Sequence, residues 1–120
     1  MHDFRKLEVW QRTLNLTLEV YKVTANFPKE EMFGLKSQIN RSVVSIPTNI
    51  AEGAGRNTRK DFNRFLSYAT GSCYELETQL IIAERLGYIP PTNFLQIKTE
   101  LNIVGKMIFN LKKQLNSPKP

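Results

Sequence analysis

The chain has 120 residues, of which 41% are hydrophobic and 23% charged, with a net charge of +6 and one cysteine. This balance predicts one folded domain with its own core and excludes a disordered chain. The single cysteine excludes an internal disulfide. No apolar run approaches the ~20 residues that span a bilayer, and the start of the chain lacks the apolar core of a signal peptide. We therefore expect a cytoplasmic protein without a membrane partner.

The first predicted helix covers residues 6–26 and carries two apolar stripes. One stripe recurs at the three- and four-residue steps of a helix face, and its members are Leu7, Trp10, Leu14, Leu18, Tyr21 and Ala25. The second stripe lies nearly opposite, and its members are Val9, Leu16, Val20 and Val23. A peripheral helix of a monomeric bundle needs only one apolar stripe. We therefore predict that the second stripe forms an interface with another subunit.

The second predicted helix covers residues 31–52 and contains a proline. Its core stripe consists of Leu35, Ile39, Val43, Ile46 and Ile50. Pro47 lacks the backbone N–H of a helical residue, so we predict a kink there. Gly53 and Gly55 are predicted to end the helix, because glycine readily takes the left-handed conformation of a helix C-cap.

Two more helices complete the predicted fold. The third covers residues 59–86 between an N-cap at Thr58 and Gly87, and its heptad seam consists of Phe62, Leu66, Ala69, Cys73, Leu76, Leu80 and Ala83. The fourth begins near Thr92 or Asn93, and its stripe consists of Ile97, Leu101, Val104, Ile108, Leu111 and Leu115. Connections this short favour antiparallel neighbours. We predict an all-α, antiparallel up-down-up-down four-helix bundle over residues 1–116, with a frayed tail at 117–120.

The residue pattern does not predict an enzyme. The glycine segment at residues 53–61 lacks the spacing of a phosphate loop and follows a helix, whereas a phosphate loop follows a strand. A di-metal site in a helical bundle uses inward Glu-x-x-His pairs, and the only histidine is His2. Cys73 lies on an apolar seam, where a cysteine is usually inert. We expect no metal, no cofactor and no small-molecule substrate.

Two groups of basic residues are candidates for phosphate contact. The first, at the start of the third helix, consists of Arg56, Arg59, Lys60 and Arg64 and is offset by Asp61. The second lies along the fourth helix and consists of Lys98, Lys106, Lys112 and Lys113. Because most aromatic residues fall on apolar stripes, we expect binding to the nucleic-acid backbone with weak sequence preference. The competing interpretation is a solvated helix start.

Polar residues follow the apolar stripes of the second and third helices. They are Gln38, Ser45 and Asn49 on the second helix and Ser72, Glu75 and Gln79 on the third. Residues placed in this way can form an interhelical hydrogen-bond network that fixes register. The alternative is that they line a groove or the central pore of an oligomer.

Several motifs resemble a known bacterial family. They are the segments at residues 6–11, 27–28, 33–35, 45–47, 49–53, 55–56, 71–72, 75–80 and 87–88. Over residues 4–115 the chain resembles the 23S rRNA intervening-sequence proteins, which are also labelled a ribosomal protein family. One departure is Asn40, where the family often has a second basic residue beside Arg41.

The resemblance implies a four-helix bundle that assembles into a ring-like homopentamer. Related bundles are accessory proteins of diversity-generating retroelements, where a basic pentamer binds a reverse transcriptase and nucleic acid. No catalytic residues are known for the family. The leading hypothesis is a non-enzymatic homo-oligomer that binds RNA or another nucleic acid through Arg56, Arg59, Lys60, Arg64 and Arg41. The alternative is a protein-interaction scaffold, such as an accessory subunit of a retroelement reverse transcriptase.

Overall fold

The computed structural model describes residues 3–117, so His2 and residues 118–120 of the predicted tail lie outside the described part. Within it the chain forms four α-helices and no strand, which confirms the all-α prediction. The helices are α1 (Glu8–Thr24), α2 (Leu35–Ala54), α3 (Arg59–Arg85) and α4 (Pro91–Asn116). Short 3-10 turns at Phe4–Lys6 and Lys29–Glu31 precede α1 and α2. No helix in this range is long and apolar enough to cross a membrane.

The helices surround one apolar core inside an elongated molecule of 52 × 24 × 20 Å. Helix α1 contacts α2 and α4, and α3 likewise contacts α2 and α4. The predicted seam of α3 is buried from Phe62 to Ala83. The largest fully buried side chains come from all four helices and from Ile89, which precedes α4; they include Leu16, Ile39, Ile46, Ile50, Leu66, Leu76, Leu80 and Ile108.

The two stripes of α1 take the opposite places from those predicted. The second stripe lies in the core of the single chain, with exposed fractions of 4%, 1%, 0% and 8% for Val9, Leu16, Val20 and Val23. The first stripe contains exposed Leu18 (62%). Side chains buried in their own chain's core offer no surface to another subunit. The structure therefore corrects the assignment of these four residues to a subunit interface.

The physical reason for this reversal lies in two threonines. Thr13 and Thr24 flank the second stripe and are both 0% exposed. The Thr13 hydroxyl donates to the Trp10 carbonyl at 2.6 Å, and the Thr24 hydroxyl donates to Asn40 Oδ1 at 2.9 Å. A hydroxyl that is satisfied within the protein can be buried at little cost. The threonines thus widen the buried face, although a hydropathy pattern counts them as polar.

The boundaries of α2 differ from the prediction at both ends. The helix begins at Leu35, because the Glu31 carboxylate accepts the Leu35 N–H at 3.0 Å and acts as its cap. At its other end, α2 continues to Ala54, and Gly55 has a right-handed φ of −83°. The left-handed glycine cap predicted for α2 is therefore wrong. The positive-φ glycine of the described chain is Gly87, at the end of α3, with φ of 82°.

Gly53 instead permits a close approach of α2 to α3. A Cβ atom at this position would lie 2.8 Å from Phe65 Cβ and 2.9 Å from Phe62 Cδ1. Real Cβ atoms essentially never come this close to a neighbouring atom. The glycine is therefore required by packing, as is typical where two backbones approach closely.

A polar network also joins α2 to α3. The Ser42 hydroxyl lies 2.8 Å from Glu75 Oε1 and 2.9 Å from Gln79 Oε1. The Ser45 hydroxyl donates to Ser72 Oγ at 2.6 Å. The predicted interhelical network is confirmed at Ser45, Ser72, Glu75 and Gln79. Ser42 is an additional member, whereas the Asn49 amide bonds within its own helix, to the Ser45 carbonyl.

Candidate nucleic-acid interface

The first basic group and half of the second meet at one end of the molecule, whereas Lys98 and Lys106 lie earlier on α4, outside this end. Lys112 Nζ on α4 donates to Ser67 Oγ on α3 at 2.7 Å. Arg59 Nη1 at the start of α3 lies 3.5 Å from the Leu115 carbonyl near the end of α4. These contacts place the last two turns of α4 beside the first three turns of α3. Lys112 and Lys113 therefore lie at the same end as the Arg56–Arg64 group.

The turn before α1 brings two more cations to this end. The 3-10 turn Phe4–Lys6 contacts α2. Phe4 lines a shallow apolar groove together with Ala51 and Glu52, from the last turn of α2. Arg5 and Lys6 are exposed beside this contact. They are therefore further candidate cations. The sequence interpretation missed them because the position of the turn before α1 depends on tertiary packing.

We define the basic end as residues 3–10, 52–68 and 109–117. It has eight lysine or arginine residues and four aspartate or glutamate residues. The other described residues have eight and seven, respectively. One end thus carries nearly all of the net positive charge of the described chain. Its cations are Arg5, Lys6, Arg56, Arg59, Lys60, Arg64, Lys112 and Lys113.

Two arginines of the basic end share one aromatic ring. The guanidinium carbons of Arg56 and Arg64 lie 4.6 and 5.2 Å from the centroid of the Phe65 ring. Arg56 also pairs with Glu52 at 3.7 Å, and Arg64 pairs with Asp61 at 3.4 Å. Exposed ion pairs of this kind contribute only about 0–1 kcal/mol each, so a phosphate can compete for the guanidinium groups. The ring holds both groups in defined positions.

The remaining predicted cations have different surroundings. Lys60 is exposed at the start of α3. Arg59 reaches the carbonyl of Leu115, so part of its role is to satisfy the end of α4. Arg41 is exposed on α2, but it lies roughly 20 Å along the helix from Ala54, at 1.5 Å per residue. The structure does not bring Arg41 into the basic end.

A groove between α3 and α4 adjoins the basic end. It has a volume of about 830 Å³ and shares Lys112, Lys113 and Asn116 with that end. Its lining includes Tyr74 and Phe109, which are 68% and 53% exposed. These two aromatic residues lie outside the predicted core stripes of their helices. Their positions on a helical wheel could have shown that they face solvent, contrary to the prediction that the aromatic residues are mostly internal.

Cys73 lies in the wall of this groove but remains nearly buried. Its side chain belongs to the α3 seam and is 6% exposed. Burial, with a smaller contribution from the charge of Glu77, raises the pKa of the Cys73 thiol to about 12. The thiol is therefore protonated at neutral pH, and a protonated thiol is a poor nucleophile and metal ligand. Within residues 3–117, no three His, Cys, Asp or Glu side chains are arranged to hold a metal ion.

A second cleft, between α1 and α4, contains a two-point ion pair. Arg12 Nε and Nη2 each donate to a Glu100 carboxylate oxygen at 2.8 Å. The hydrogen bond and the negative charge of Glu100 raise the pKa of the Arg12 guanidinium. Both oxygens of Glu100 accept hydrogen bonds from Arg12. The pair therefore links α1 to α4 and leaves little unpaired charge in the cleft for a ligand.

These features define a small all-α protein with four helices and one strongly basic end. A family model described as 23S rRNA-intervening sequence protein matches residues 5–110. The chain belongs to this family. A search of curated proteins finds no match.

A solved structure has the same fold. It is the crystal structure of a protein with unknown function from the S23 ribosomal protein family of Bacteroides thetaiotaomicron VPI-5482. The two chains are 27% identical, with a TM-score of 0.79. The alignment covers 88% of this chain and 98% of that chain. The described function of that relative is unknown, so the comparison supports the fold and the family.

Proposed function

We propose that this protein is a non-enzymatic nucleic-acid-binding protein and that RNA contacts its basic end. The observation that carries this proposal is the convergence of cations from three segments, which are the turn before α1, residues 56–64 and the end of α4. Clustered cations bind polyanions because each neutralised phosphate releases condensed counterions. An even spread of the same charges would give a weaker local field.

The arrangement favours contact with the phosphate backbone. Arg56 and Arg64 are exposed and oriented by Phe65, and a guanidinium can donate two parallel hydrogen bonds to one phosphate. Lys60 and Lys113 of the basic end add point charges. The first turn of α3 adds backbone N–H groups, which attract anions. Contacts of this kind hold the nucleic acid without reading its bases.

The test removes three exposed cations of the basic end. We expect the triple variant Arg56→Ala/Lys60→Ala/Arg64→Ala to bind single-stranded RNA at least tenfold more weakly at low salt. Because three phosphate contacts are lost, the slope of log K against log salt should become shallower by about 2 units. Fluorescence anisotropy with a labelled RNA between about 50 and 200 mM salt measures both quantities.

A matched control separates local charge from net charge. The variant Lys22→Ala/Lys29→Ala/Arg85→Ala also removes three positive charges, all exposed and all outside the basic end. We expect it to retain nearly the affinity and the salt slope of the wild type. Equal losses in the two variants would show that net charge alone drives binding and would contradict an interface at the basic end.

We also propose the up-down-up-down topology and a bend of α2 at Pro47. Contacts between successive helices support the topology, because the residue numbers run in opposite directions on neighbouring helices. Thr24 at the end of α1 contacts Asn40 near the start of α2, and Lys112 near the end of α4 contacts Ser67 in the first half of α3. Between α2 and α3, Ser42 contacts Gln79 and Ser45 contacts Ser72. Pro47 lies inside α2 and cannot donate to the carbonyl of Val43, which favours the bend.

We further propose that the protein is a homo-oligomer, a pentamer if the resemblance extends to assembly. The observation in support is the exposed stripe of α1, in which Leu14, Leu18 and Tyr21 are 38%, 62% and 45% exposed. Val44 of α2 is also exposed, at 39%. The apolar groove lined by Leu14, Val44 and Pro47 continues this face. Contiguous apolar surface of this kind is typical of a protein interface. The relation to retroelement accessory proteins remains a prediction of the resemblance.

Light scattering of a charge variant tests this surface. We expect Leu18→Glu to shift the protein at micromolar concentration from an oligomer towards the mass of a single chain, because an unpaired buried carboxylate is strongly disfavoured. The control is Ile82→Glu on α3, which is 46% exposed on a helix that does not contact α1. A wild type with the mass of one chain, or identical oligomers for both variants, would contradict the proposed interface.

A further inference from the structure

We infer that the groove between α3 and α4 binds unpaired nucleotides of a single-stranded nucleic acid, with bases stacked on Tyr74 and Phe109 and phosphates held by its lysines. This inference rests on the proposed function and specifies the class of nucleic acid. It differs from the sequence-based expectation, which was contact with the backbone alone.

The shape of the groove suits a planar, narrow ligand. Thr70 of α3 and Gly105 of α4 are small residues in its lining. A Cβ atom built on Gly105 would meet no atom within 4 Å, so the space above the glycine is open. The side chains of Tyr74 and Phe109 belong to opposite walls, since the first comes from α3 and the second from α4. A flat base can therefore reach a ring from either wall.

Exposed aromatic rings of this size require an explanation. Tyr74 is 68% and Phe109 is 53% exposed, although burying an aromatic ring is among the largest favourable terms available to a side chain. Both residues line the groove and remain more than half exposed there. Aromatic rings used in this way are typical of proteins that bind single strands, because every base has a face that can stack.

The charges of the groove complement a phosphate backbone. Its lining contains Lys106, Lys112 and Lys113, against one acidic residue, Glu77. Lys113 Nζ lies 5.8 Å from the centroid of the Phe109 ring, so a cation stands directly beside a stacking surface. The amide side chains of Asn102, Asn110 and Asn116 add donors and acceptors for base edges. Lysines beside exposed aromatic rings are typical of proteins that stack bases. The sequence interpretation did not identify this combination.

The groove also continues into the basic end. Lys112 and Lys113 line the groove and belong to the basic end, and Lys112 is held there by Ser67. A nucleic-acid strand whose phosphates bind the basic end can therefore extend its next nucleotides into the groove. The electrostatic potential along this path stays positive. In a duplex the bases are stacked inside and cannot reach the rings, so the groove selects unpaired segments.

The experiment compares an unstructured single-stranded RNA with a blunt-ended, fully paired RNA duplex of the same length, which contains no unpaired nucleotides. An oligonucleotide of about 12 nucleotides is long enough to cover the site of a typical single-strand binder. We expect the wild type to bind the unstructured RNA more tightly at equal salt. The double variant Tyr74→Ala/Phe109→Ala should lose about tenfold or more of this affinity while its duplex affinity and salt slope stay unchanged.

Two further variants test whether the aromatic rings and the open space of the groove are responsible for any loss of binding. Tyr74→Phe/Phe109→Tyr keeps both rings and should retain the preference for unpaired RNA. Gly105→Leu places a side chain in the open space of the groove and keeps both aromatic residues, and it should also reduce binding of the unstructured RNA. Thermal unfolding followed by circular dichroism verifies that each variant is folded.

The outcomes separate this inference from the proposed function. Wild-type binding that is equal for both RNAs, or unchanged in the double alanine variant, would overturn the groove assignment and leave the basic end intact. Absence of binding to either RNA at low salt would overturn both proposals. A double alanine variant with an altered oligomeric state in light scattering would show that a second copy of this chain occupies the groove, and would also overturn the assignment.

Discussion

We expect the substitution Ile46→Ala to lower the free energy of unfolding by about 2–5 kcal/mol. Ile46 is 0% exposed on the core face of α2, next to the proline of that helix. Truncation removes three buried carbon atoms and leaves a cavity that neighbouring helices cannot fully close. Small domains are stable by only about 5–15 kcal/mol, so this single change removes a large part of the margin. Urea denaturation at 25 °C measures the loss.

The control for this variant makes the same replacement at an exposed isoleucine. Ile82 on α3 is 46% exposed and lies outside the proposed subunit interface, and its replacement by alanine also removes three carbon atoms and improves helix propensity. We expect Ile82→Ala to change the free energy of unfolding by less than about 0.5 kcal/mol, as for most surface changes. Similar losses at the two positions would mean that α2 does not present Ile46 to the core in the orientation described.

The second large effect is expected at Gly53, where we predict that alanine destabilises the protein by about 1–3 kcal/mol. In an exposed helix the same change would be favourable by up to about 1 kcal/mol. Here the new methyl group would lie 2.8 Å from Phe65 Cβ and 3.2 Å from the Phe62 carbonyl oxygen. Neither is the flexible end of a side chain, so α2 and α3 must separate. The clash therefore outweighs the gain in helix propensity.

Gly71 provides the matched control for Gly53. It lies inside α3, and an added Cβ atom would meet nothing within 4 Å. We expect Gly71→Ala to raise the free energy of unfolding by about 0.5–1 kcal/mol, mainly because the unfolded chain loses freedom. The opposite signs of the two glycine variants, measured by denaturation under identical conditions, form the test. A stabilised Gly53→Ala protein would contradict the close approach of the two helices.

The sequence predicted the number and approximate extents of the helices because each has an apolar stripe with helical period. It could not decide which stripe of α1 faces inward. The stripe containing Leu18 and the stripe containing Leu16 are similarly apolar, and the choice depends on buried Thr13 and Thr24. Their hydroxyls are satisfied by contacts that a single sequence does not reveal, one of them from Asn40 on another helix.

The candidate site was only partly predictable for a related reason. The Arg56–Arg64 group is contiguous in the sequence and was found directly. Lys112 joins it through packing of α4 against α3, some 45 residues away in the chain. Phe109 lies outside the predicted stripe of α4, and the sequence did not show that it lines one groove together with Tyr74 of α3. A single stripe cannot predict which off-stripe residues line a groove between helices.

The contact between Glu31 and Tyr88 has a consequence for local unfolding at the end opposite the basic end. One oxygen of the Glu31 carboxylate caps α2 at the Leu35 N–H, and the other accepts the Tyr88 hydroxyl, 57 residues further along the chain. Tyr88 also packs against Phe27, with ring centroids 5.4 Å apart. The α1–α2 and α3–α4 connections therefore share one anchor. We therefore expect that opening either connection releases the other, so that both exchange as a single cooperative unit in hydrogen-exchange measurements.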